Sequence, residues 1–126
     1  MKHPPFSRIL FIILTMFVLL SCNDFFEEDI SDKTIQIVCP TDGAKLPSNK
    51  LSFVWKKEEG VEIYHIVIVS PSFKNVQRYV CDTILTDYKF ELELSSGDYQ
   101  WSIQGKNSAY ESLANQLTFK ITGNEE

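Results

Sequence analysis

Residues 97 to 103, Gly97-Asp98-Tyr99-Gln100-Trp101-Ser102-Ile103, are the stretch of sequence that decides the fold. Its large apolar side chains alternate with polar or small ones, and this period of two is typical of a β-strand with one buried face. Two serines, Ser95 and Ser96, come immediately before it and supply a turn together with Gly97. The stretch therefore predicts a strand that places Tyr99 and Trp101 in a core.

The same alternation recurs on both sides of this strand. Predicted strands lie around residues 35–39, 51–55, 64–69, 76–83, 90–94, 99–103 and 117–121. Strand 64–69 is apolar on both faces, as a central strand can be, whereas 76–83 alternates poorly and suggests an edge. Since no 3.6-residue periodicity follows residue 21, we predict an all-β, seven-stranded, two-sheet sandwich. Its expected core residues are Phe53, Trp55, Tyr64, Tyr99 and Trp101.

Three segments resemble strands of a fibronectin type III-like, or immunoglobulin-like, domain: 51–55, 64–68, and 94–103 together with Asn107. The resemblance implies that Trp55 is the centrepiece of the core and that the Tyr99 hydroxyl fixes the corner that follows Leu94. It covers roughly Ile35 to Thr122. The corner is one residue shorter than in animal members and lacks their proline. The pattern is therefore more similar to bacterial immunoglobulin-like domains of surface lipoproteins, including glycan-binding ones of the starch-utilisation type.

The N-terminal residues predict export. Lys2 and Arg8 precede an apolar run of 12 residues, Ile9 to Leu20, which is short for a membrane span. Leu19-Leu20-Ser21-Cys22 resembles the lipobox of bacterial lipoproteins, which implies removal of residues 1–21 and a diacylglycerol on Cys22. The alternatives are an ordinary secretory signal and an uncleaved anchor helix.

The residues after Cys22 indicate the destination. Asp24 resembles the inner-membrane retention signal of enterobacterial lipoproteins, whereas the acids Glu27, Glu28 and Asp29 resemble the surface-export signal of Bacteroidota-type lipoproteins. We favour the outer membrane and its outer face. A simpler interpretation is that residues 22–33 form an acidic, solvated tether. The domain would then span 34–123, with a tail at 124–126.

Size and charge exclude several classes of function. Without Lys2 and Arg8 the chain keeps 10 basic and 17 acidic residues, a net charge of −7. Such a chain has no electrostatic footprint for nucleic acid. The 105 residues from Cys22 onward suffice for one compact domain. We expect the lipid on Cys22 to be its link to a membrane.

The sequence offers little chemistry. His65 is the only histidine after the signal and lies in an apolar strand. Glu91 and Glu93, about 7 Å apart on one strand, could suit glycosidase chemistry, but the solvated face of an amphipathic strand explains them better. We expect no cofactor, no metal and no enzyme. Cys39 and Cys81 could pair in an oxidising compartment, although the topology implied by the resemblance separates them, and the pairing stays open.

Binding residues are sought among aromatic side chains outside the core register, since sugars stack on exposed rings. The candidates are Phe73 with Asn75, Tyr79, and Tyr110 with Asn107, on or near loops 70–75 and 106–115. Loop packing or the propensity of an edge strand explains each of them more simply. Ile63, Val67 and Val69 face outward on a central strand, so either a loop covers them or they form a docking patch.

These observations predict a non-catalytic outer-membrane lipoprotein whose domain binds a protein partner in an envelope or surface complex. The alternative is a carbohydrate-binding accessory lipoprotein of a glycan-uptake system. One small sandwich with one lipid and no catalytic group favours the first.

Overall fold

The computed structural model of the protein describes residues 26–123, so the predicted signal, Cys22 and the tail at 124–126 lie outside the described residues. Every regular element in the described part is a strand. The strands are β1 (Ile37–Cys39), β2 (Ala44–Leu46), β3 (Lys50–Trp55), β4 (Ile63–Pro71), β5 (Val76–Leu85), β6 (Lys89–Glu93), β7 (Gly97–Lys106) and β8 (Asn115–Ile121). Between residues 26 and 123 no helix is long and apolar enough to cross a membrane.

The strands form two sheets packed as a sandwich. One sheet has three strands in the order β1-β3-β6, and the other has five in the order β2-β8-β7-β4-β5. All neighbouring strands are antiparallel except β2 and β8, which are parallel. β4 lies inside its sheet and β5 at its edge, as the alternation of their sequences predicts. The all-β sandwich is therefore confirmed.

The structure has eight strands rather than seven because the chain changes sheets early. β1 pairs with β3, and after the turn at Pro40 to Gly43 the next three residues pair with β8 instead. Gly43 has a φ of 79°, a conformation that glycine adopts without steric cost, and its N–H donates to the Thr118 carbonyl at 2.7 Å. A three-residue strand is too short for alternation to reveal, so the sequence did not predict β2.

Aromatic rings fill the space between the sheets. Phe53 is fully buried on β3 and its ring centroid lies 5.0 Å from Trp101, 5.8 Å from Phe119 and 6.0 Å from Phe90. Trp55 is also buried, but it lies to one side and contacts Tyr64 with a centroid separation of 5.6 Å. Phe53, which bridges both sheets, is thus the centre of the aromatic cluster, the place that the resemblance implies for Trp55.

A tyrosine ties the connection between β6 and β7. Tyr99 is buried, its ring stacks on Phe119 at 5.2 Å, and its hydroxyl donates to the Ser95 carbonyl at 2.7 Å. The Ser95 hydroxyl lies 3.3 Å from the Tyr99 hydroxyl oxygen. Hence the Tyr99 hydroxyl anchors the corner directly, although serines and a glycine replace the proline.

The segment from Glu27 to Lys33 packs on the domain, which differs from the predicted solvated tether. Ile30 is fully buried, and the Lys33 carbonyl accepts the Leu113 N–H at 2.8 Å. Lys33 also forms ion pairs with Glu28 at 3.1 Å and Glu58 at 3.5 Å. We call residues 27–33 the strap. Ile30 explains the difference, because a buried isoleucine is favoured over a solvated one by about 1.5 to 3 kcal/mol.

Candidate functional site

The predicted binding residues do not form one site, because the strand directions separate them. We call residues 56–62, 86–88 and 107–114 the loop end of the sandwich, and residues 47–49, 72–75 and 94–96 the corner end. The pairing of β4 with β7 places Ile63 beside Lys106 at the loop end and Val69 beside Gln100 toward the corner end. Asn107 and Tyr110 therefore lie at one end, and Phe73 and Asn75 at the other.

Asn107 is occupied by structural hydrogen bonds. Its side-chain oxygen accepts the N–H groups of Ala109 at 3.0 Å and Tyr110 at 2.8 Å. Its amide nitrogen donates to the carbonyls of Glu28 at 2.8 Å and Gly60 at 3.0 Å. An amide has two donors and two acceptor lone pairs, so little capacity is left for a ligand. Asn107 orders its own loop and fastens the strap.

The loop that carries Phe73 and Asn75 folds back onto the five-stranded sheet. The Phe73 N–H donates to the Gln100 side-chain oxygen at 2.7 Å, and Phe73 is half-buried. Val69, the register partner of Gln100, is fully buried although it lies on the outward side of β4. The sequence left open whether a loop covers the outward apolar residues of β4 or whether they form a docking patch. At Val69 they are covered. Asn75 is exposed, and its described bonds come from its backbone N–H.

An accessible apolar feature lies on the outer face of the five-stranded sheet. Tyr79 is 71% exposed and Ile84 is 58% exposed, both on β5. Ile84 lies opposite His65, and the half-buried Val67 lies one position further along the same outer face of β4. We call Ile63, Val67, Tyr79 and Ile84 the outer-face strip. The sequence analysis did not predict a role for Ile84, because the predicted strand ended at Thr83. Ile84 lies two positions after Asp82 and therefore on the same face of β5.

Backbone groups at the margin of β5 add to this surface. β5 has ten residues and pairs only with β4 among the described strands. The other edges are protected. In the five-stranded sheet the other edge strand, β2, has three residues, and beyond it the Asp42 carboxylate accepts the Thr118 N–H of β8 at 2.8 Å. In the three-stranded sheet β1 has three residues and β6 carries Lys89, Glu91 and Glu93. Charges and short strands discourage pairing with another chain, so β5 is the edge most open to it.

The groups that could support catalysis are dispersed or engaged. The His65 Nε2 lies 2.6 Å from an Asp82 carboxylate oxygen on the open sheet face. Burial raises the pKa of the Cys81 thiol, and the Asp82 charge adds to the effect, so this thiol is a poor nucleophile. Glu91 forms an ion pair with Lys89 at 3.2 Å and is exposed, as expected for a solvated strand face. Among residues 26–123 no three acidic, histidine or cysteine side chains are arranged to hold a metal ion.

The two cysteines lie in different sheets and are free. Cys39 ends β1 in the three-stranded sheet, where its thiol donates to the Ser52 carbonyl at 3.4 Å. Cys81 lies on β5, opposite Ile68. The arrangement has two separate thiols, which is the topology that the family resemblance implies.

Grooves open to solvent on the described residues include one of about 320 Å³, lined by Tyr79, Glu93 and Ser95 among others, and two beside β1. The larger, about 520 Å³, runs between β1 and β8 and is lined by Ile35, Ile37, Asp42 and Asn115 among others. The Asn115 amide bridges it by donating to the Ile35 carbonyl at 2.6 Å. The smaller, about 260 Å³, is lined by Cys39, Leu46 and Leu51 together with neighbouring prolines and serines. Neither brings together the converging polar groups that mark a small-molecule site.

Comparison with solved structures identifies the class of fold. The chain is similar to the fibronectin type III domain of human collagen alpha-1(XX), with a TM-score of 0.55 and 14% identity over 76% of this chain and 93% of that one. It is also similar to the domain derived from human KIAA0970 protein, with a TM-score of 0.54 and 12% identity over 77% of each chain. A third match is the fibronectin(III)-like modules of Clostridium thermocellum CbhA, with a TM-score of 0.52 and 8% identity over 73% of this chain and all of that one.

These identities establish the fold alone. No protein-family model matches the sequence. A search of curated proteins finds no match either. The protein thus contains a fibronectin type III-like sandwich.

Proposed function

We propose that the protein is a non-catalytic lipoprotein of the outer membrane, exposed at the cell surface, whose sandwich binds a protein partner through the outer-face strip and the edge of β5. The observation that carries the proposal is the coincidence of Tyr79 and Ile84, both more than half exposed, with the longest open edge of the sandwich. Tyrosine and isoleucine next to unpaired backbone groups suit an extended segment that adds a strand to a sheet.

Site-specific photo-crosslinking tests this surface. A benzophenone amino acid replaces Tyr79 or Ile84 in intact cells, and adducts are detected on the purified protein. We expect an adduct with the same partner from both positions. Glu91 is the matched control, because it is exposed on a strand of the opposite sheet. Adducts that form from Glu91 as readily as from Tyr79 would contradict the proposal, as would none from either β5 position.

The anchor is tested separately. Cys22→Ser should abolish labelling by radioactive palmitate and release the protein from membranes, because two or three acyl chains anchor stably whereas a protein without them does not. Wild-type protein that takes up no label would remove the lipoprotein part of the proposal and leave the binding surface to be judged by crosslinking.

The carbohydrate alternative is supported best by Tyr79. Its ring is well exposed and the polar residues Gln77 and Arg78 precede it, which suits stacking on a pyranose. Asn107 has too few free hydrogen-bonding groups, and Phe73 is half-buried. A glycan array with wild-type protein and Tyr79→Ala distinguishes the two functions, since binding that is lost in the variant would favour the carbohydrate reading.

A further inference from the structure

A second group of exposed apolar side chains lies at the loop end, away from the outer-face strip. Seven large hydrophobic side chains are exposed among the described residues, and four of them are here. Phe26 is 85% exposed, Leu113 is 53% exposed, and Tyr88 and Tyr110 are each 37% exposed. These four residues, which we call the loop-end cluster, come from three separate segments. A group of exposed apolar side chains at one end of a domain is typical of a surface that contacts a partner or a membrane.

The strap fixes Phe26 beside this cluster. The Ser108 hydroxyl donates to the Glu27 carboxylate at 2.6 Å, and the Asn107 amide donates to the Glu28 carbonyl at 2.8 Å. Beyond them Ile30 is buried, and the Leu113 N–H donates to the Lys33 carbonyl at 2.8 Å. The seven-residue strap is therefore tied near both of its ends to the loop that carries Tyr110 and Leu113. Phe26 is held at the loop end by this attachment.

The length of chain before the strap limits what can lie opposite the loop end. Three residues separate Cys22 from Phe26, so the two Cα atoms are at most about 14 Å apart when the chain is fully extended. This reach is about twice the depth of one headgroup region, which is about 5 to 8 Å, so Phe26 can lie at the outer surface of that region. We propose that the loop-end cluster rests on the surface of the bilayer that holds the Cys22 lipid. The inference rests on the proposed lipid anchor.

Charge indicates which kind of bilayer surface fits. The strap contributes Glu27, Glu28, Asp29 and Asp32, and residues 58–62 and Glu111 add further acids at the same end. Lys33 is paired with Glu28 and Glu58, and Lys106 with Glu111. Lys56 and Lys57 are the other bases in these segments, so acids outnumber bases at this end. Acids repel anionic headgroups within a Debye length, so the partner is an electrically neutral lipid surface. Tyrosine is enriched at such interfaces, and phenylalanine and leucine supply apolar area that enters them.

Hydroxyl-radical footprinting of the lipidated full chain in phosphatidylcholine vesicles tests the inference. Wild-type protein is compared with a form that has ten Gly-Ser residues inserted between Asp24 and Phe25, which keeps the lipid and frees the domain from the surface. We expect Tyr110 and Leu113 to lose most of their oxidation in the wild type and to regain it in the long-spacer form. Tyr79, on the outer-face strip, is the internal reference and should be oxidised equally in both.

Two variants separate contact from mere proximity. Phe26→Ser with Leu113→Ser changes exposed side chains and leaves the fold intact, and it should restore oxidation of Tyr110. The matched control, Ile84→Ser, should leave Tyr110 protected. Replacing part of the phosphatidylcholine with phosphatidylglycerol should also restore oxidation of Tyr110, and unchanged protection would overturn the requirement for neutral lipid.

Failure of the anchor and failure of the contact are distinguishable. Wild-type protein that does not float with vesicles overturns the lipid anchor and this inference with it. Protein that floats while Tyr110 is oxidised equally in the short-spacer and long-spacer forms overturns the contact and leaves the anchor standing.

Discussion

Tyr99→Phe tests the corner of the sandwich by removing one oxygen atom. The ring should stay in place, because it is buried and stacked on Phe119 at 5.2 Å. The shortest bond lost is the 2.7 Å donation to the Ser95 carbonyl. The substitution also removes the 3.3 Å contact with the Ser95 hydroxyl and the acceptor to which the Arg78 guanidinium donates at 3.4 Å. A hydrogen bond contributes about 0.5 to 1.5 kcal/mol net, and an acceptor left unpaired in a buried place costs about 1 to 3 kcal/mol. Ser95 itself is exposed, so water can reach its carbonyl in part. We expect a loss of about 1 to 1.5 kcal/mol.

Urea denaturation followed by tryptophan fluorescence measures this loss, because Trp55 and Trp101 are both buried and report unfolding. The slope of the transition should be unchanged, and the melting temperature should fall by about 4 to 8 °C per kcal/mol. Tyr79→Phe is the matched control, since its hydroxyl is on an exposed ring, and should change stability by less than about 0.5 kcal/mol. The reasoning would be refuted by a Tyr99→Phe protein as stable as the control.

Three further substitutions probe other parts of the structure. Gly105→Ala would place a Cβ 2.8 Å from Val61, so we expect a loss of about 1 to 3 kcal/mol by urea denaturation, and a neutral result would contradict the packing of β7 on the loop end. Asn107→Ala removes four hydrogen bonds and should cost about 2 kcal/mol and expose the strap to proteolysis; an intact strap would show that other contacts hold it. Glu62→Gln tests a dependence on pH. A hydrogen bond with Glu27 raises the pKa of Glu62 above its usual value of 4.5. Protonation of Glu62 therefore stabilises the wild type at low pH, and this stability is lost as the pH rises through the raised pKa. The melting temperature of this variant should therefore fall less between pH 4 and 7, and equal falls would argue against the acid pair.

Much of the fold could be predicted because its strands have one buried face each. Tyr99, Trp101 and Ile103 alternate strictly, and in the structure all three are buried while Gln100 and Ser102 lie outward. β5 could be predicted as an edge strand from its sequence. A strand with one buried face alternates between apolar and polar residues, whereas Val76 to Thr83 alternates poorly. A bulge between Tyr79 and Cys81, opposite Val69 and Ile68, is the physical reason for that poor pattern.

The parts that could not be predicted depend on contacts between distant segments. Nothing in the sequence around Asn107 indicates that its amide binds the Glu28 carbonyl, 79 positions away. The acids of the strap suggested a solvated tether, and one isoleucine among them, Ile30, decides that it packs. β2 exists because β8 offers a partner, which short-range alternation in residues 44–46 does not show. The candidate binding site was the least predictable part. The sequence shows which aromatic residues lie near loops, but it does not show that Phe73 and Tyr110 lie at opposite ends of the sandwich.

The two proposed surfaces are compatible because they lie on different sides of the molecule. A domain held by the strap with its loop end on the bilayer would present β5 roughly along its flank, since β5 runs from the corner end to the loop end beside β4. A partner that adds a strand to β5 could then approach from the side, and the outer-face strip would remain accessible. A ligand that had to reach Tyr110 would instead compete with the membrane. This geometry is why Tyr79 and Ile84, rather than the loop residues first suggested by the sequence, are the positions at which a partner should be sought.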